Sequence, residues 1–453
     1  MADFLNLALS DYTDTVSKVS LLTGRWKLRW GGYQPAAGTG RGKITETLAL
    51  VAEGTAAELS AGERLIQSLL EQARRWSEDS LTENGVWLEW SVDGEPGAGT
   101  YAAKRVFLYD GTLALARVEN GKGAFALSTF GSLAITRHAC WENETVRQVS
   151  VEGVALHAGV VDLTAQSTYA GTENGRIAWL VMGPSAGQLR TWIGIRPVYD
   201  GITQFTPLWE LESGTDGTDT TDVADATAHG GNKIQCTFAT VATMAERSQI
   251  LLGDVCGSNY IHNVGRYLVL LRAKLSASST ACQVQMRSGF DGTSQLTQGE
   301  YVYITDTAWH LYELGQIQIP PSVYRYETDS RHVLPTFGIW LDAERMSGSG
   351  YLDMDCLFLI PAWGIAMTND QGFSGTASTA LNIFIYPDDS SDSNEVVGST
   401  QFANPSLALS NWCMPRTPGV LVVAGERTAG SDLTDTVDMV LSYYPRWRLY
   451  RGV

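Results

Sequence analysis

Lysine is scarce in this chain, with seven residues against 25 arginines, and Lys+Arg 32 are outnumbered by Asp+Glu 49 for a formal net charge of -17. A surface that grips phosphate needs clustered cations, so this balance speaks against a nucleic-acid-binding protein. An acidic protein can still stand beside DNA as the wall of a conduit, where like charge keeps the polymer from adhering. No apolar run approaches the roughly 20 residues that a membrane helix requires. The opening MADFLNLALSDYTD has no cationic segment ahead of an apolar one, so neither a signal peptide nor membrane insertion is expected.

Paired metal ligands are missing too. Cys140, Cys236, Cys256, Cys282, Cys356 and Cys413 form no C-x-x-C, and the six histidines form no H-x-H or H-E-x-x-H. The cysteines are expected to be small buried hydrophobes. Gly183 to Gly187 reads G-P-S-A-G, which matches the serine-hydrolase elbow, but that elbow needs a helix after the serine. Here QLRTWIGI follows, a strand pattern, so a hairpin turn explains the motif and Ser185 has no base in view. Gly38 to Lys43 fails as a phosphate loop, since Ala37 stands where a glycine is required and Ile44 where Ser or Thr is. Some pair of carboxylates is inevitable among so many acids, yet spacing along a chain says nothing about glycosidase geometry.

What remains is a chain rich in turns and short apolar runs, with 46 glycines. Asp93-Gly94, Asp110-Gly111, Asn120-Gly121, Asn174-Gly175 and Asp291-Gly292 are hairpin signals, because both central residues of a type I′ turn need positive φ. KRVFLYDGTLALARVENGKGAFALSTFGSLAIT thus reads as a meander of antiparallel strands. One segment differs. Leu65, Ile66, Leu69, Leu70, Ala73 and Trp76 recur at helical spacing, and Ser60 with Glu63 fits a capping box, so a helix is expected over 61–76. At the other end Val437, Met439, Leu441 and Tyr443 alternate with Asp438, Val440 and Ser442, the period of a half-buried strand. Arg446, Arg448 and Arg451 lie along its continuation and are expected to pair with the protein's own acids, the alternative being a basic tail. Asp216, Asp219, Asp222 and Asp225 recur every three residues, either as calcium-type oxygen donors or as a solvated loop.

Two resemblances organise these pieces. LWELES, GRYLVLLRAKLSA, TAWHLYELGQIQIP and GYLDMDCLFLIP, from Leu208 to Pro361, resemble a carbohydrate-binding-module jelly roll. That resemblance implies a structural Ca2+ held by Glu212 and Asp355. It also implies sugar stacking on Tyr260, Trp309 or Tyr324, although aromatics are more often core. LNLALSDYTDTVSKVSLLTGRWKL, the helix after ITETLAL, the meander ending LAITRHACWENE and the closing VLSYYPRWRLYRGV resemble a phage tail protein of the distal-tail or tail-tube type. The fold expected is mostly β. A ring-forming N-terminal β-barrel with one flanking α-helix would occupy 1–146, a discontinuous β-sandwich 147–198 and 364–453, and an inserted jelly roll 199–363. The function expected is a virion structural protein of the tail, not an enzyme. It would be made in the host cytoplasm and form a ring, hexameric or pseudo-hexameric, with neighbouring tail proteins and with DNA as non-specific lumen cargo. The alternative is an adhesin that binds a host surface glycan, and a glycan-degrading enzyme is a third class.

Overall fold

The computed structural model describes residues 4–9, 17–22, 24–29, 43–78, 85–91, 104–118, 127–143, 147–163, 173–184, 189–198, 205–257, 262–290, 294–321, 337–361, 365–367, 381–385, 394–397, 413–414, 419–427 and 429–447. They build a mostly β protein of antiparallel sheets. Strands β1 (Phe4–Leu9), β2 (Lys18–Ser20), β3 (Trp26–Leu28) and β4 (Lys43–Gly54) precede helix α1 (Ala56–Glu78). After it come β5 (Val86–Ser91), β6 (Lys104–Val118), β7 (Leu127–His138) and β8 (Trp141–Asn143). Seven of them pair in the order β2-β1-β5-β6-β7-β4-β3. The two ends of this run meet through Leu21, whose N–H donates to Leu5 O at 2.7 Å and whose carbonyl accepts from Leu28 N–H at 2.9 Å. The sheet therefore curls toward closure, which leaves it less free edge.

Leu5, Leu7, Leu50, Val86, Leu88, Val106, Leu108, Leu133 and Ile135 form one core with Leu59, Ile66, Leu69, Leu70 and Ala73 of α1. Trp76, at the end of the helix, stacks on Phe107 at 4.5 Å between ring centres. The helix starts at Ala56, five residues before the expected Ala61, and its capping box is Thr55 with Glu58, not Ser60 with Glu63. Thr55 N–H donates to Glu58 Oε2 at 2.9 Å, and Glu58 N–H donates to Thr55 Oγ1 at 3.3 Å. T-x-x-E and S-x-x-E overlap in TAAELSAGE, and the earlier one wins because Leu59 is already buried on the apolar stripe.

Two expected turns are strand interior instead. Asp110-Gly111 lies within β6, where the register to β7 slips between Leu108 and Asp110, a β-bulge. Gly111 is small for a reason: a Cβ there would meet Leu70 Cδ2 of the helix at 2.5 Å. Asn174-Gly175 likewise falls at a register shift in β11 (Glu173–Pro184). Asp93-Gly94, Asn120-Gly121 and Asp291-Gly292 lie outside the described residues.

The next strands are β9 (Arg147–Ala155), β10 (Gly159–Asp162), β11 and β12 (Leu189–Pro197). The jelly roll follows as β13 (Leu208–Glu210), β14 (Thr215–Asp216), β15 (Thr220–Ala224), β16 (Asn232–Cys236), β17 (Ala245–Leu251) and β18 (Gly265–Leu275). It continues through β19 (Ala281–Phe290), β20 (Ser294–Gln298), β21 (Val302–Ile304), β22 (His310–Ile319), β23 (Phe337–Ser347) and β24 (Leu352–Pro361). Last come β25 (Ile365–Met367), β26 (Leu381–Ile385), β27 (Asn394–Val397), β28 (Cys413–Met414), β29 (Gly419–Arg427) and β30 (Thr436–Trp447).

These strands stack as layers. β9, β30 and β11 extend the N-terminal sheet, joined to it where Arg446 and Trp447 pair with Glu142 and Trp141 of β8. Against them lies the sheet β10-β29-β12-β25, with Leu421, Val423, Ile193 and Ile195 packed on Val437, Met439 and Leu441. The other face of that sheet carries Val420, Val422, Ala424 and Trp192 into the jelly-roll core. There they cover the inner jelly-roll sheet, β15-β16-β24-β18-β22, with β13 also paired to β24. The outer jelly-roll sheet, β14-β17-β23-β19-β20 with β21 on β19, is the fourth layer. Every residue of β24 is buried, as an inner-layer strand requires. Gly194 lies so close to β24 that a Cβ would sit 2.5 Å from Pro361 O. The jelly roll is docked face to face on the sandwich and not hung from a tether.

β11 and β12 lie in different sheets and are not hydrogen-bonded to each other, so they do not form the hairpin expected around GPSAG, of which Ser185, Ala186 and Gly187 lie outside the described residues. β30 is an interior strand, flanked by β9 and β11, with Val437, Met439, Leu441 and Tyr443 all buried. Arg446 Nε lies 3.6 Å from Glu142 Oε2, while Arg448 and Arg451 are outside the described residues.

Candidate functional site

The acids expected to hold calcium sit at one end of the inner jelly-roll sheet. Asp355 is wholly buried, and Arg272, from the neighbouring strand β18, donates from Nη1 to Asp355 Oδ2. The same guanidinium donates to Thr227 O at 3.0 Å and to Ser431 O at 2.8 Å, and it lies 4.6 Å from the Trp309 ring centre. Asp355 also accepts from the His229 N–H at 3.1 Å. Glu212 is close enough that Glu210, Asp355 and Asp222 each raise its pKa, and burial, the largest cause, helps push that carboxyl up to about 7. Gly230, at φ +64°, closes over both glutamates: a Cβ there would meet Glu210 Oε1 at 2.8 Å and Glu212 Oε1 at 2.9 Å.

These residues do not fit a calcium ion. A dication beside Asp355 would face the Arg272 guanidinium at contact distance. Among the described residues no group of three or more His, Cys, Asp or Glu could hold a metal ion. Two of the four aspartates of the acidic loop, Asp219 and Asp225, are likewise engaged within the protein. Asp219 accepts from the Thr240 and Val241 N–H groups at 2.9 and 2.8 Å, and Asp225 pairs with Lys233 and Lys274 at 3.1 and 3.0 Å. Asp216 and Asp222 are exposed.

Of the aromatics expected to stack on sugar, Trp309 is 6% exposed, lies under Arg272 and Lys274, and donates from Nε1 to Thr227 Oγ1 at 2.9 Å. It is a wall of the buried ionic cluster. Tyr260 and Tyr324 lie outside the described residues. Cys236, Cys256, Cys282 and Cys356 are buried and free. Burial pushes the Cys236 thiol up to about 11 and those of Cys256 and Cys282 up to about 12, as suits inert hydrophobes.

Two other faces remain. The outer jelly-roll sheet turns Val284, Met286, Ile339, Leu341 and Ala343 to the core and a polar array to its other side, within which Trp340, Gln283, Gln285 and Asp342 are themselves buried. Register fixes the rows of that array. Glu344, Gln283 and Tyr303 lie side by side on β23, β19 and β21. Asp342 pairs with Gln285, and Trp340 with Arg287, which opposes Gln298. Asp342 accepts from Arg287 Nε at 2.5 Å and Nη2 at 2.7 Å, and Glu246 accepts from Nη2 at 3.0 Å. Gln298 Nε2 donates to Gln285 Oε1 at 2.9 Å, and Gln283 donates to Glu344. At the rim Tyr301 is 52% and Tyr303 61% exposed. The signal was present in the alternation of ACQVQMRSGF, but only the pairing shows what flanks it.

The second face belongs to β4, β7 and β6. Thr45, Thr47, Ala49 and Val51 on β4 oppose Thr136, Ala134, Ser132 and Phe130 on β7, and Thr112, Ala114 and Ala116 on β6 complete the face. None of these carries a charge and Phe130 is 39% exposed, but charges border the patch: Asp110 opposes Thr136, Lys43 and Glu53 stand at the two ends of the β4 row, and the Arg29 guanidinium lies 5.6 Å from the Phe130 ring centre. Threonines bond across it, Thr45 Oγ1 to Thr136 Oγ1 at 3.1 Å. No helix among the described residues is long and apolar enough to cross a membrane.

No protein-family model matches the chain, and no curated protein matches it. Two solved structures show faint likeness. One is the infectious bursal disease virus VP2 subviral particle, at TM-score 0.16 and 9% identity over 78% of this chain and 83% of that one. Another is dimeric latent PorU from Porphyromonas gingivalis, at TM-score 0.11 and 8% identity over 89% of this chain and 32% of that one. Likeness at that level carries no argument, and the function must be argued from the chain's own surfaces.

Proposed function

We propose that the chain is a virion structural protein, a subunit of a homo-oligomeric tail ring around a DNA conduit, with the jelly roll on its outside. The observation that supports this most is the uncharged, small-residue centre of the β4, β7 and β6 face, bordered by charges of both signs at Lys43, Glu53, Asp110 and Arg29. Copies that each carry a net charge of -17 repel one another, so they meet at least cost where the surface has no charge. Small-residue antiparallel strands permit such close approach, and closed symmetry then makes a ring. Light scattering with negative-stain electron microscopy tests the reading. Rings with a central hole, lost in Ala114→Glu and Ser132→Glu, are expected. A monomer at every concentration, or rings that both variants leave intact, would overturn it.

A second reading, a carbohydrate-binding adhesin, is favoured by the polar outer face of the jelly roll with Tyr301 and Tyr303 at its rim. Exposed aromatic rings beside hydrogen-bonding side chains suit a ligand that has both apolar and hydroxylated surfaces. The two readings are compatible in one molecule, since the faces lie on different sheets.

A further inference from the structure

We propose that the ring closes head to tail, with Lys27 of one copy seated in a groove between α1 and β6 of the next and its ammonium at Asp110. The inference rests on the ring reading and names the residues that would make its contact. Sheet geometry creates the groove. β6 pairs with β5 only from Lys104 to Leu108, and after the bulge between Leu108 and Asp110 it pairs with β7 alone. Helix α1 packs along the side that β5 has left, and the two enclose about 240 Å3. Leu70 and Leu113 give the groove an apolar floor, and Asp110 and Thr112 are exposed at its mouth.

Charge selects the occupant. Glu71 and Arg74, also on the groove, are bonded to each other and cancel. Asp110 uses Oδ1 on its own Gly111 N–H at 2.7 Å, and its Oδ2 has no hydrogen-bond partner among the described residues. An apolar floor with one spare carboxylate suits a long aliphatic side chain that ends in a cation. The opposite border of the run β6-β7-β4-β3 supplies it. Arg25, Lys27 and Arg29 alternate on and beside β3, and all three are exposed. Arg25 is paired with Glu58, Arg29 lies over the Phe130 ring, and Lys43 lies 4.2 Å from the Tyr109 ring centre. Lys27 alone of these has no ionic or ring partner among the described residues. β3 and β6 are three strand spacings apart, about 14 Å, which is farther than a lysine reaches, so only a neighbouring copy can bring the two together. A contact between two different patches is heterologous, the kind that closes into rings. Glu53 and Glu58 stand among the same cations, which disfavours a phosphate backbone as the occupant.

Light scattering and negative-stain imaging of the full chain test the contact. Lys27→Glu and Asp110→Lys, both at exposed positions, should each weaken assembly about tenfold, more at low salt than at high, with an unaltered unfolding midpoint. A one-to-one mixture of the two variants should form rings again. In an alternating ring each reversed charge meets its opposite, and every other contact is the original pair of Lys27 with Asp110. If Asp110→Lys lowers the unfolding midpoint, Asp110→Asn, which keeps an acceptor for the Gly111 N–H, takes its place and should weaken assembly about threefold. Rings that neither charge variant weakens, while Ala114→Glu abolishes them, would overturn this contact and leave the ring reading standing. Single variants that weaken assembly but are not restored on mixing would overturn it in the same way. DNA binding that Lys27→Glu abolishes, with rings unchanged, would assign the cations of β3 to phosphate and also overturn it. A wild-type chain that never assembles would overturn both.

Discussion

Arg272→Met removes a charge while keeping most of the side chain's volume, and its cost can be worked from the contacts. Arg272 is 1% exposed and Asp355 0%. Without the guanidinium, Asp355 keeps the His229 N–H at 3.1 Å and no cation, so a buried charge is left uncompensated. Breaking a buried pair from one side costs about 3–5 kcal/mol. The carbonyls of Thr227 and Ser431 lose their donors as well, each worth about 1 kcal/mol. Part of that overlaps, because Asp355 can take up a proton, and the expected loss is about 4 kcal/mol. The double variant Arg272→Met/Asp355→Leu should recover most of it, since replacing both partners by apolar groups is close to neutral. Urea unfolding followed by tryptophan fluorescence measures this, with Trp309 stacked 4.6 Å from the guanidinium as local reporter. A single-variant loss below about 1 kcal/mol, or no recovery in the double variant, refutes the reasoning. In the same assay neither calcium nor EDTA should move the wild-type midpoint. A midpoint that rises with calcium would mean a dication site that this ion pair leaves no room for.

Further outcomes follow from other residues. Thr55→Ala should cost about 1 kcal/mol as a lost helix cap, while Ser60→Ala, inside the helix, should stay within about 0.5 kcal/mol by thermal or urea denaturation. Gly194→Ala forces a Cβ to 2.5 Å from Pro361 O, so the two central layers must part, and a loss of about 3 kcal/mol is expected in urea. Glu212 and His157 should tilt the pH dependence of stability in opposite directions. Glu212 binds its proton more tightly folded, near 7 against an ordinary 4.5, so its contribution is present in acid and is lost as pH rises through that window. Burial lowers His157 to about 4 from 6.5, so its contribution is present above 6.5 and lost as pH falls toward 4. Stability profiles of Glu212→Gln and His157→Gln should therefore diverge between pH 4.5 and 6.5, and parallel profiles would show that neither proton is coupled to folding.

The sequence makes the kind of element legible more readily than its neighbours. The helix stripe from Leu65 to Trp76, the final strand and the strands of the inner jelly-roll sheet follow from period alone. Asp110-Gly111 misleads because glycine marks an irregular backbone, and whether the chain then turns or bulges depends on β7 keeping its register beyond the slip. Ser60 and Thr55 both begin a capping pattern, and packing of Leu59 decides between them. At the candidate site the reason is distance along the chain. Asp355 reads as a metal ligand until Arg272, 83 residues away, is seen to fill its coordination, and Ser431 reaches the same guanidinium from 159 residues away. Nothing local to the LDMDC pattern announces such a partner.

Layering explains where function can reside. A strand buried on both faces reads as an apolar run, as in the LFLIP end of β24 and the GVLVVAG of β29, and any charge inside it must be neutralised. Asp353 and Asp355 of β24 meet that demand through Lys233 and Arg272, which makes them structural ties whose acidity is spent internally. Outer-layer strands carry polar side chains on their second set. On β19 that set is Gln283, Gln285 and Arg287, of which the two glutamines are buried and bonded to Glu344 and to Gly299 O, while β7 presents Phe130, Ser132, Ala134 and Thr136. The inner jelly-roll face, where Trp309 was expected to meet sugar, is closed by Val420, Val422 and Ala424 of the sandwich. On the proposed readings, a ligand of the jelly roll would have to meet its outermost sheet, and like-charged copies would touch at the centre of the N-terminal face.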